Sequence, residues 1–569
     1  MSYFIFKIKQ QIIEAIAESL GESFDFSEIE ITKPPQSSMG DFSVPCFYFS
    51  KLTRLSPNQI ASDLKNRLKL KAPLKSVQNI GPYLNFHLDD SLLAKNIITD
   101  IKKQQNKYGC LKSRGEKIMI EYSQPNTHKE FHVGHLRNVV LGSALVNLNR
   151  CGGYKVLAVN YIGDIGSHVA KCLWAYQKFH QQEPEPQEHK GQYLGKLYTE
   201  AVNLCEADES AKLESAEVQK KLEAGDKKLV ALWKKTRQWS LQEFDAIYKI
   251  LGVKFDKVFY ESEVEKPGKQ IVKELLDNKI AELSEGAVII DLEKYDLKKF
   301  LLLKSDGSSL YSTKELALAK LKFEKYKIDA SYVVVDSRQS FYFKQFFKTL
   351  EVMGFKQKVK HINYEFVTLP DGAMSSRKGN VVLFEDFLSE MTALALAETQ
   401  KRHTDWTQIE LEETAKKIAL GAIKFAMIKT GRNNIITFNP QEALAFEGFS
   451  GPYLQYTVTR MNSILRKAGV KDFPEADYSK LNLPQEKSLL LLLADYPEII
   501  TNAVNELELS GLAQYLFVVA KDFSSYYQEV SVINSSSDIK PARLALVLAV
   551  RQVLVNGLSL LGIETMDKM

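Results

Sequence analysis

The stretch that decides the fold is "KIMIEYSQPNTHKEFHVGHLRNVVLGSALVNLNRCGGYKVLAVNYIGDIG", residues 117–166. It opens on a short apolar run, "KIMIEY", and passes into a polar loop. The run "LRNVVLGSALVNLNR" then places Leu136, Val139, Val140, Leu145 and Leu148 on one helical face. Cys151-Gly152-Gly153 stops that helix. "YKVLAVNYIGDIG" follows as a second apolar strand. Strand, helix and strand at this spacing predict a βαβ unit of a parallel sheet.

The loop "YSQPNTHKEFHVGH" holds three histidines, a lysine and a glutamate at the mouth of an otherwise plain helix. In a parallel sheet the loop after the first strand lies at the carboxyl edge, where ligands bind. The next helix aims its N-terminus, and its partial positive charge, at the same place. The loop is therefore placed to hold phosphate. Gly134 admits a nucleotide close to the backbone. His132 and His135 sit three residues apart and share a face once the helix has begun. Both can donate hydrogen bonds to phosphate or ribose oxygens.

A chain of 569 residues is too long for one core and predicts three or four domains. Hydrophobic content of 45% and charged content of 25% are those of a globular protein. A net charge of +5 permits a nucleic-acid partner without arguing for one. The five cysteines, Cys46, Cys110, Cys151, Cys172 and Cys205, show no C-x-x-C pair. No protein-bound zinc is expected, and such sparse cysteines suit a reducing cytoplasm. The N-terminal "MSYFIFKIKQQIIEAIAESLG" interleaves charges with apolar residues and makes a poor signal peptide. No apolar run reaches bilayer length by this reading, so no membrane partner is expected.

The expected architecture is an α/β Rossmann-type parallel-sheet catalytic domain, a small α+β N-terminal domain and an all-α C-terminal domain. Residues 1–100 form the first unit, and 102–117 read as a polar linker. The catalytic domain covers 115–370, with a helical insertion at about 180–300. A connecting region spans 371–435, and the helical domain runs over 436–569. The apolar run 542–564 reads as the core of that bundle.

"HVGH" (132–135) resembles the HIGH signature of class I aminoacyl-tRNA synthetases. "SQPNTHKEFHVGHLRN" (123–138) resembles its arginyl-tRNA synthetase form. "NYIGDIGSH" (160–168), "SDGSSLYSTKELALAK" (305–320), "VVVDSRQSFYFKQFF" (333–347) and "MSSRKGNVV" (374–382) are similar to further stretches of that family, in its order. "GDFSVP" and "NIGPYLNFHL" resemble its extra N-terminal domain, and "SGPYLQYTVTRMNSILRKA" (450–468) its anticodon-binding helices. A nucleotidylyltransferase sharing H-x-G-H would need neither end domain. A cysteinyl synthetase would show clustered zinc ligands, and a dead RNA-binding paralogue would have no use for intact His132, Gly134 and His135.

The resemblance implies an arginine–tRNA ligase, cytoplasmic and monomeric, acting on L-arginine, ATP with Mg²⁺, and tRNA(Arg). It implies an arginine pocket of Glu121, Ser123, Asn126, Tyr311, Glu315 and Gln339. Glu315 stands where the family usually has aspartate. It implies an ATP site of Pro125, Asn126, His132, Gly134, His135, Met374, Ser375 and Ser376. "MSSRKG" stands for the family's KMSKS loop, with Ala373 and Ser376 in place of its two lysines. Arg377, Lys378 and Lys129 are the cations that could serve instead, and Lys129 is favoured because strand and helix anchor its loop. Tyr83 and Asn85 match positions that read a D-loop base. Tyr453, Tyr456, Arg460 and Met569 are expected near the anticodon stem-loop.

Overall fold

In the computed structural model, residues 3–21, 25, 29–369, 372–373 and 382–569 are described. The helix Phe4–Leu20 buries Ile5, Ile8, Ile12 and Ile16 along one stripe. It packs with an antiparallel sheet of β1 (Phe42–Pro45), β2 (Leu74–Ile80) and β3 (Tyr83–Leu88), ordered β1-β3-β2. Ser56 and Gln59 close a capping box on the helix Pro57–Arg67, with Pro57 at its first position.

The stretch read as a polar linker is firmly packed. The helix Asp90–Gln104 runs into it. Tyr108 is buried and stacks on Tyr496 of the helical domain at 6.1 Å. Leu111 N donates to Cys151 O at 2.7 Å and Arg114 N to Gly153 O at 2.9 Å. Cys110 and Cys151 form a disulfide there, which the sparse-cysteine reading does not anticipate. Polarity along the sequence hid this, because only a few side chains of the stretch face inward.

The central sheet consists of β4 (Lys117–Glu121), β5 (Lys155–Ile162), β6 (Lys257–Tyr260), β10 (Ala330–Asp336) and β11 (Lys358–Tyr364). Its order is β11-β10-β4-β5-β6 and every neighbouring pair is parallel. The chain winds from β4 through β5 to β6, then returns to β10 and β11 on the other side. The order therefore reverses between β4 and β10, and the crevice beyond their carboxyl ends is where an open α/β sheet binds ligands. Glu121 ends β4 and Asp336 ends β10.

The helical insertion expected at about 180–300 is helical in its first part and again over Glu261–Asp277, with strands around that helix. Helices Lys190–Ala207, Glu209–Glu223 and Lys227–Leu251 fill 190–251. Then β6 rejoins the central sheet, and β7 (Glu282–Ser284), β8 (Ala287–Asp291) and β9 (Lys299–Leu303) form an antiparallel sheet. A four-residue strand such as "KVFY" is too short for periodicity to separate from a helical neighbour. A further small sheet joins β12 (Val367–Leu369), β13 (Gly372–Ala373) and β14 (Ile436–Thr437).

The C-terminal domain is built from helices Gly451–Lys467, Pro484–Glu506, Ser510–Glu529 and Lys540–Leu560. The last, with mean hydropathy 1.4, is apolar and long enough to cross a bilayer, but 67% of its apolar window is buried within the protein. Leu546, Val550 and Leu554 are fully buried in the bundle core.

Candidate active site at the carboxyl edge of the sheet

The loop after β4 is bent by three non-glycine residues at positive φ: Ser123 (79°), Gln124 (48°) and His128 (61°). Such a cluster costs energy and persists only where surrounding bonds enforce it. Asn138 Oδ1 accepts from Ser123 N at 2.6 Å, and Asn160 Oδ1 accepts from Gln124 N at 3.0 Å. Gly163 N donates to Pro125 O at 3.1 Å. Asn126 bridges to Gly163, where a side chain would run into the Asn126 amide.

His132 is the N-cap of the helix Val133–Cys151. Its Nδ1 accepts from Gly134 N at 3.0 Å, and His135 Nδ1 accepts from His132 N at 3.2 Å. With both Nδ1 atoms accepting, each ring carries its proton on Nε2. Burial lowers the His132 pKa to about 4, with the Lys129 charge adding to the effect. Burial, His132 and Lys129 push His135 well below its usual range. Both are neutral at physiological pH, each with one Nε2–H to donate. Gly134 is required by His132 itself: a Cβ there would meet the His132 ring at 2.8 Å. The third histidine, His128, is structural, its ring held between Thr127 Oγ1 at 3.0 Å and Thr236 Oγ1 at 2.8 Å.

Lys129 is half-buried, with its ammonium over the Tyr198 ring. Its charge contributes to the lowered pKa of His132, His135 and His168 alike, so it stands near all three.

Between β4, β10 and the helix Tyr311–Tyr326 lies a pocket lined by Glu121, Glu315 and Lys322. Glu121 is buried and both its oxygens are engaged: Gln124 Nε2 donates to Oε1 at 3.0 Å, and Lys322 Nζ pairs with Oε2. Glu315 forms no such ion pair, although the Lys322 charge and the Tyr342 hydroxyl both act on it from nearby. Burial raises its pKa to about 8, and the Glu121 charge adds to the rise. The Tyr161 hydroxyl is buried near Glu315 without a hydrogen-bond partner, and the Tyr342 hydroxyl faces the Glu315 carboxyl. A cationic planar group entering here would meet the Glu315 carboxyl, which forms no ion pair, beside the Tyr161 and Tyr342 hydroxyls.

The remaining expected residues are placed unevenly. Ser123 points inward, its Oγ 2.7 Å from Tyr248 Oη, so Gln124 takes the position beside Glu121. Tyr311 is 57% exposed at the start of its helix, and Gln339 is exposed beyond the end of β10. Tyr83 is 40% exposed on β3, whereas Asn85 is buried with its Oδ1 unpartnered. Tyr456 is exposed, Arg460 lies over the Tyr527 ring, and half-buried Tyr453 packs on Phe517. The side chain of Met569 is buried with the bundle core, so it does not present a free surface. Met374, Ser375, Ser376, Arg377 and Lys378 lie outside the described residues. Among the described residues no group of three His, Cys, Asp or Glu is arranged to hold a metal ion.

Sequence reading did not single out Gln124, Tyr161, Lys322, Tyr342, His168 or Tyr198. Tyr161, His168 and Tyr342 lie inside stretches quoted for their resemblance. Lys322 and Tyr198 carry no motif at all.

Three family models match the chain. "tRNA synthetases class I (R), catalytic domain" spans residues 97–439. "Arginyl tRNA synthetase N terminal domain" spans 7–88, and "DALR anticodon binding domain" 454–569. The arginine–tRNA ligase of Bdellovibrio bacteriovorus is 37% identical over 572 residues, covering 97% of this chain and 98% of the relative. That of Clostridium botulinum (strain Alaska E43 / Type E3) is 38% identical over 565 residues, covering 99% and 100%. The solved structure of Thermus thermophilus arginyl-tRNA synthetase superposes with a TM-score of 0.85 at 29% identity, covering 99% of this chain and 100% of that one. That of the Plasmodium falciparum arginyl-tRNA synthetase shares the fold at a TM-score of 0.80 and 20% identity. With the arginyl class I catalytic model covering more than half of the chain and the family's other two domains flanking it, the chain belongs to the arginyl-tRNA synthetases, the class I ligases that charge tRNA(Arg) with arginine.

Proposed function

We propose that the crevice between β4 and β10 activates L-arginine with ATP and passes it to the terminal adenosine of tRNA(Arg), releasing pyrophosphate and AMP. The observation that carries this reading is that Glu121 of the Glu121–Glu315 pocket ends β4 while His132 and His135, with their Nε2–H donors, open the helix that follows β4. The arginine carboxylate attacks the α-phosphate, and pyrophosphate leaves. The ribose hydroxyl, the 2′-hydroxyl by class resemblance, then attacks the arginyl carbonyl and AMP leaves. Both substrates bring their own nucleophiles, so the protein positions groups and neutralises developing charge.

In this account His132 and His135 donate to phosphate oxygens at the helix N-terminus. Neutral rings suit this, because a donor is wanted without a second buried charge. Pro125 and Asn126 shape the nucleotide side of the loop, with the 374–378 segment expected over the phosphates. Lys129 supplies the cation that the MSSRKG segment lacks in the signature position. Glu315 pairs with the guanidinium, and Glu121 is held by Lys322 and Gln124 to orient the pocket. Mg²⁺ accompanies ATP, ordered mainly by its phosphates. Tyr83 stacks on a D-loop base, and Tyr456 with Arg460 faces the anticodon stem-loop.

A monomer in the cytoplasm fits this activity. The Cys110–Cys151 cross-link does not oppose it: the backbone bonds of Leu111 and Arg114 already close the same junction, so reduction would leave it joined. The test is ATP–pyrophosphate exchange and aminoacylation with each of the twenty amino acids, with and without tRNA(Arg). Arginine alone should support both, and exchange should need the tRNA. Exchange driven by another amino acid would overturn the assignment of the pocket.

A further inference from the structure

A second cavity, of about 180 Å³, lies at the seam between the catalytic and helical domains. Tyr122, Ser143, Asn147 and Arg150 line one side, Val253 and Lys254 another, and Lys424, Leu561 and Gly562 the floor. Ser143, Asn147 and Arg150 stand at i, i+4 and i+7 of the helix Val133–Cys151 and share one face. At 1.5 Å per residue, Arg150 is about 27 Å along that helix from His132. The Arg150 end of the cavity is thus far from His132, although Tyr122, next to Glu121, brings its wall up to the carboxyl end of β4.

Three cations meet here, and no carboxylate lines the cavity. Arg150 is paired with Asp256 at 3.0 Å and remains 47% exposed. Lys254 is exposed at the rim. Lys424 is the unusual member. Its ammonium spends one of three donors on Gly562 O at 2.6 Å, and no ion pair to it is formed among the described residues. Burial lowers its pKa to about 8, with the Glu564 charge offsetting only part of the shift. The Asn147 amide donates to the Ser559 and Leu560 carbonyls at 3.4 Å, and the Ser143 hydroxyl bonds to Tyr122, so the three cations carry the site.

We propose that this seam cavity is a phosphate site, in which Lys424, Arg150 and Lys254 hold a phosphate oxyanion. Tetrahedral oxyanions match this donor set: a fixed ammonium at the floor, a guanidinium on the wall and a mobile ammonium at the mouth. The phosphate can arrive as a free anion or as part of the tRNA backbone, since the cavity opens at the Lys254 rim. Because α-helical residues 143–150 and the 561–562 turn belong to different domains, an occupied site ties those domains together.

The test is calorimetric titration of the full-length protein with inorganic phosphate at constant ionic strength, in wild type, Lys424→Met, Arg150→Gln and Lys254→Gln. Wild type should show saturable binding that is weakened at least about tenfold in Lys424→Met and severalfold in the other two, the scale of charge-assisted hydrogen bonds. Lys254→Gln, at an exposed position, keeps the test valid if Lys424→Met folds poorly. Phosphate held at the ATP site would persist equally in all three variants, so only the difference between variants is read. Titration with tRNA(Arg) separates the sources. Competition between phosphate and tRNA, with weaker tRNA binding by Lys254→Gln, identifies a backbone phosphate; phosphate binding that persists beside bound tRNA identifies a free anion. Absence of saturable binding in wild type, or identical binding in wild type and all three variants, overturns the proposal.

Discussion

The ammonium of Lys129 lies 4.8 Å from the centre of the Tyr198 ring. Tyr198 belongs to the helix Lys190–Ala207, which is inserted between β5 and β6, so the insertion reaches back to the loop after β4. A cation held over an aromatic face is stabilised by about 0.5–2 kcal/mol and loses freedom before substrate arrives. Tyr198→Ala should therefore slow adenylate formation by about three- to tenfold, within that range, with little change in arginine KM. Tyr198→Phe should retain most of the rate, since the ring face remains. Stopped-flow measurement of both variants checks it; equal losses in the two would assign the effect to the hydroxyl.

The proposed arginine pocket contains two carboxyls and one lysine. Lys322 already cancels Glu121, which leaves Glu315 for the substrate. Glu315→Gln should raise the arginine KM at least about tenfold, the cost of an unmet charged hydrogen bond. Glu121→Gln should act mainly on stability, because it strands a buried ammonium at a cost of about 3–5 kcal/mol. Thermal unfolding and arginine KM for both variants decide the matter. A larger KM effect at Glu121 would place the guanidinium there and require Lys322 to release it.

Glu315 also sets a pH dependence. Its pKa is raised from 4.5 to about 8, first by burial and then by the charge on Glu121. Between those values the folded protein keeps a proton that the unfolded chain has released. Stability from this group is therefore lost as pH rises through the window. Arginine affinity should move the other way, strengthening as pH approaches and passes about 8, because the guanidinium needs the ionised form. Calorimetry in buffers of different ionisation enthalpy should show a proton released on arginine binding. Glu315→Gln should abolish that release; its survival in the variant would assign it to another group.

On the N-terminal domain, Tyr83 meets Phe47 edge-on at 5.8 Å and leaves the rest of its ring free. Tyr83→Ala should weaken tRNA(Arg) binding by about 1–3 kcal/mol, the worth of one base–aromatic stack. The loss should vary with the D-loop base. Uniform loss across D-loop variants would indicate a backbone contact instead.

The parallel sheet was legible because "KIMIEY" and "YKVLAVNYI" flank a helix with a clear apolar stripe. His132 and His135 were legible because their spacing at the helix start has a direct physical reading. The same stretch could not show which way Ser123 turns. Which of two adjacent polar residues turns outward depends on φ values set by Asn138 and Asn160, far along the chain. Lys322 and Tyr198 were invisible for a related reason. An isolated lysine or tyrosine on a helix has no local signature, and only folding brings it to Glu121 or Lys129. β6 was lost inside a charge-rich region because four residues carry too little periodicity.

The most direct test of this account is single-turnover arginyl-adenylate formation by Lys129→Ala, Arg377→Ala and Lys378→Ala, with tRNA(Arg) bound and ATP saturating. One preorganised electrostatic donor is worth roughly a hundredfold or more in rate. Lys129→Ala should lose that much, and each of the other two variants clearly less. A Lys129→Ala rate near wild type, with Lys378→Ala the most damaged of the three, would return the role to the 374–378 segment and contradict the assignment of Lys129.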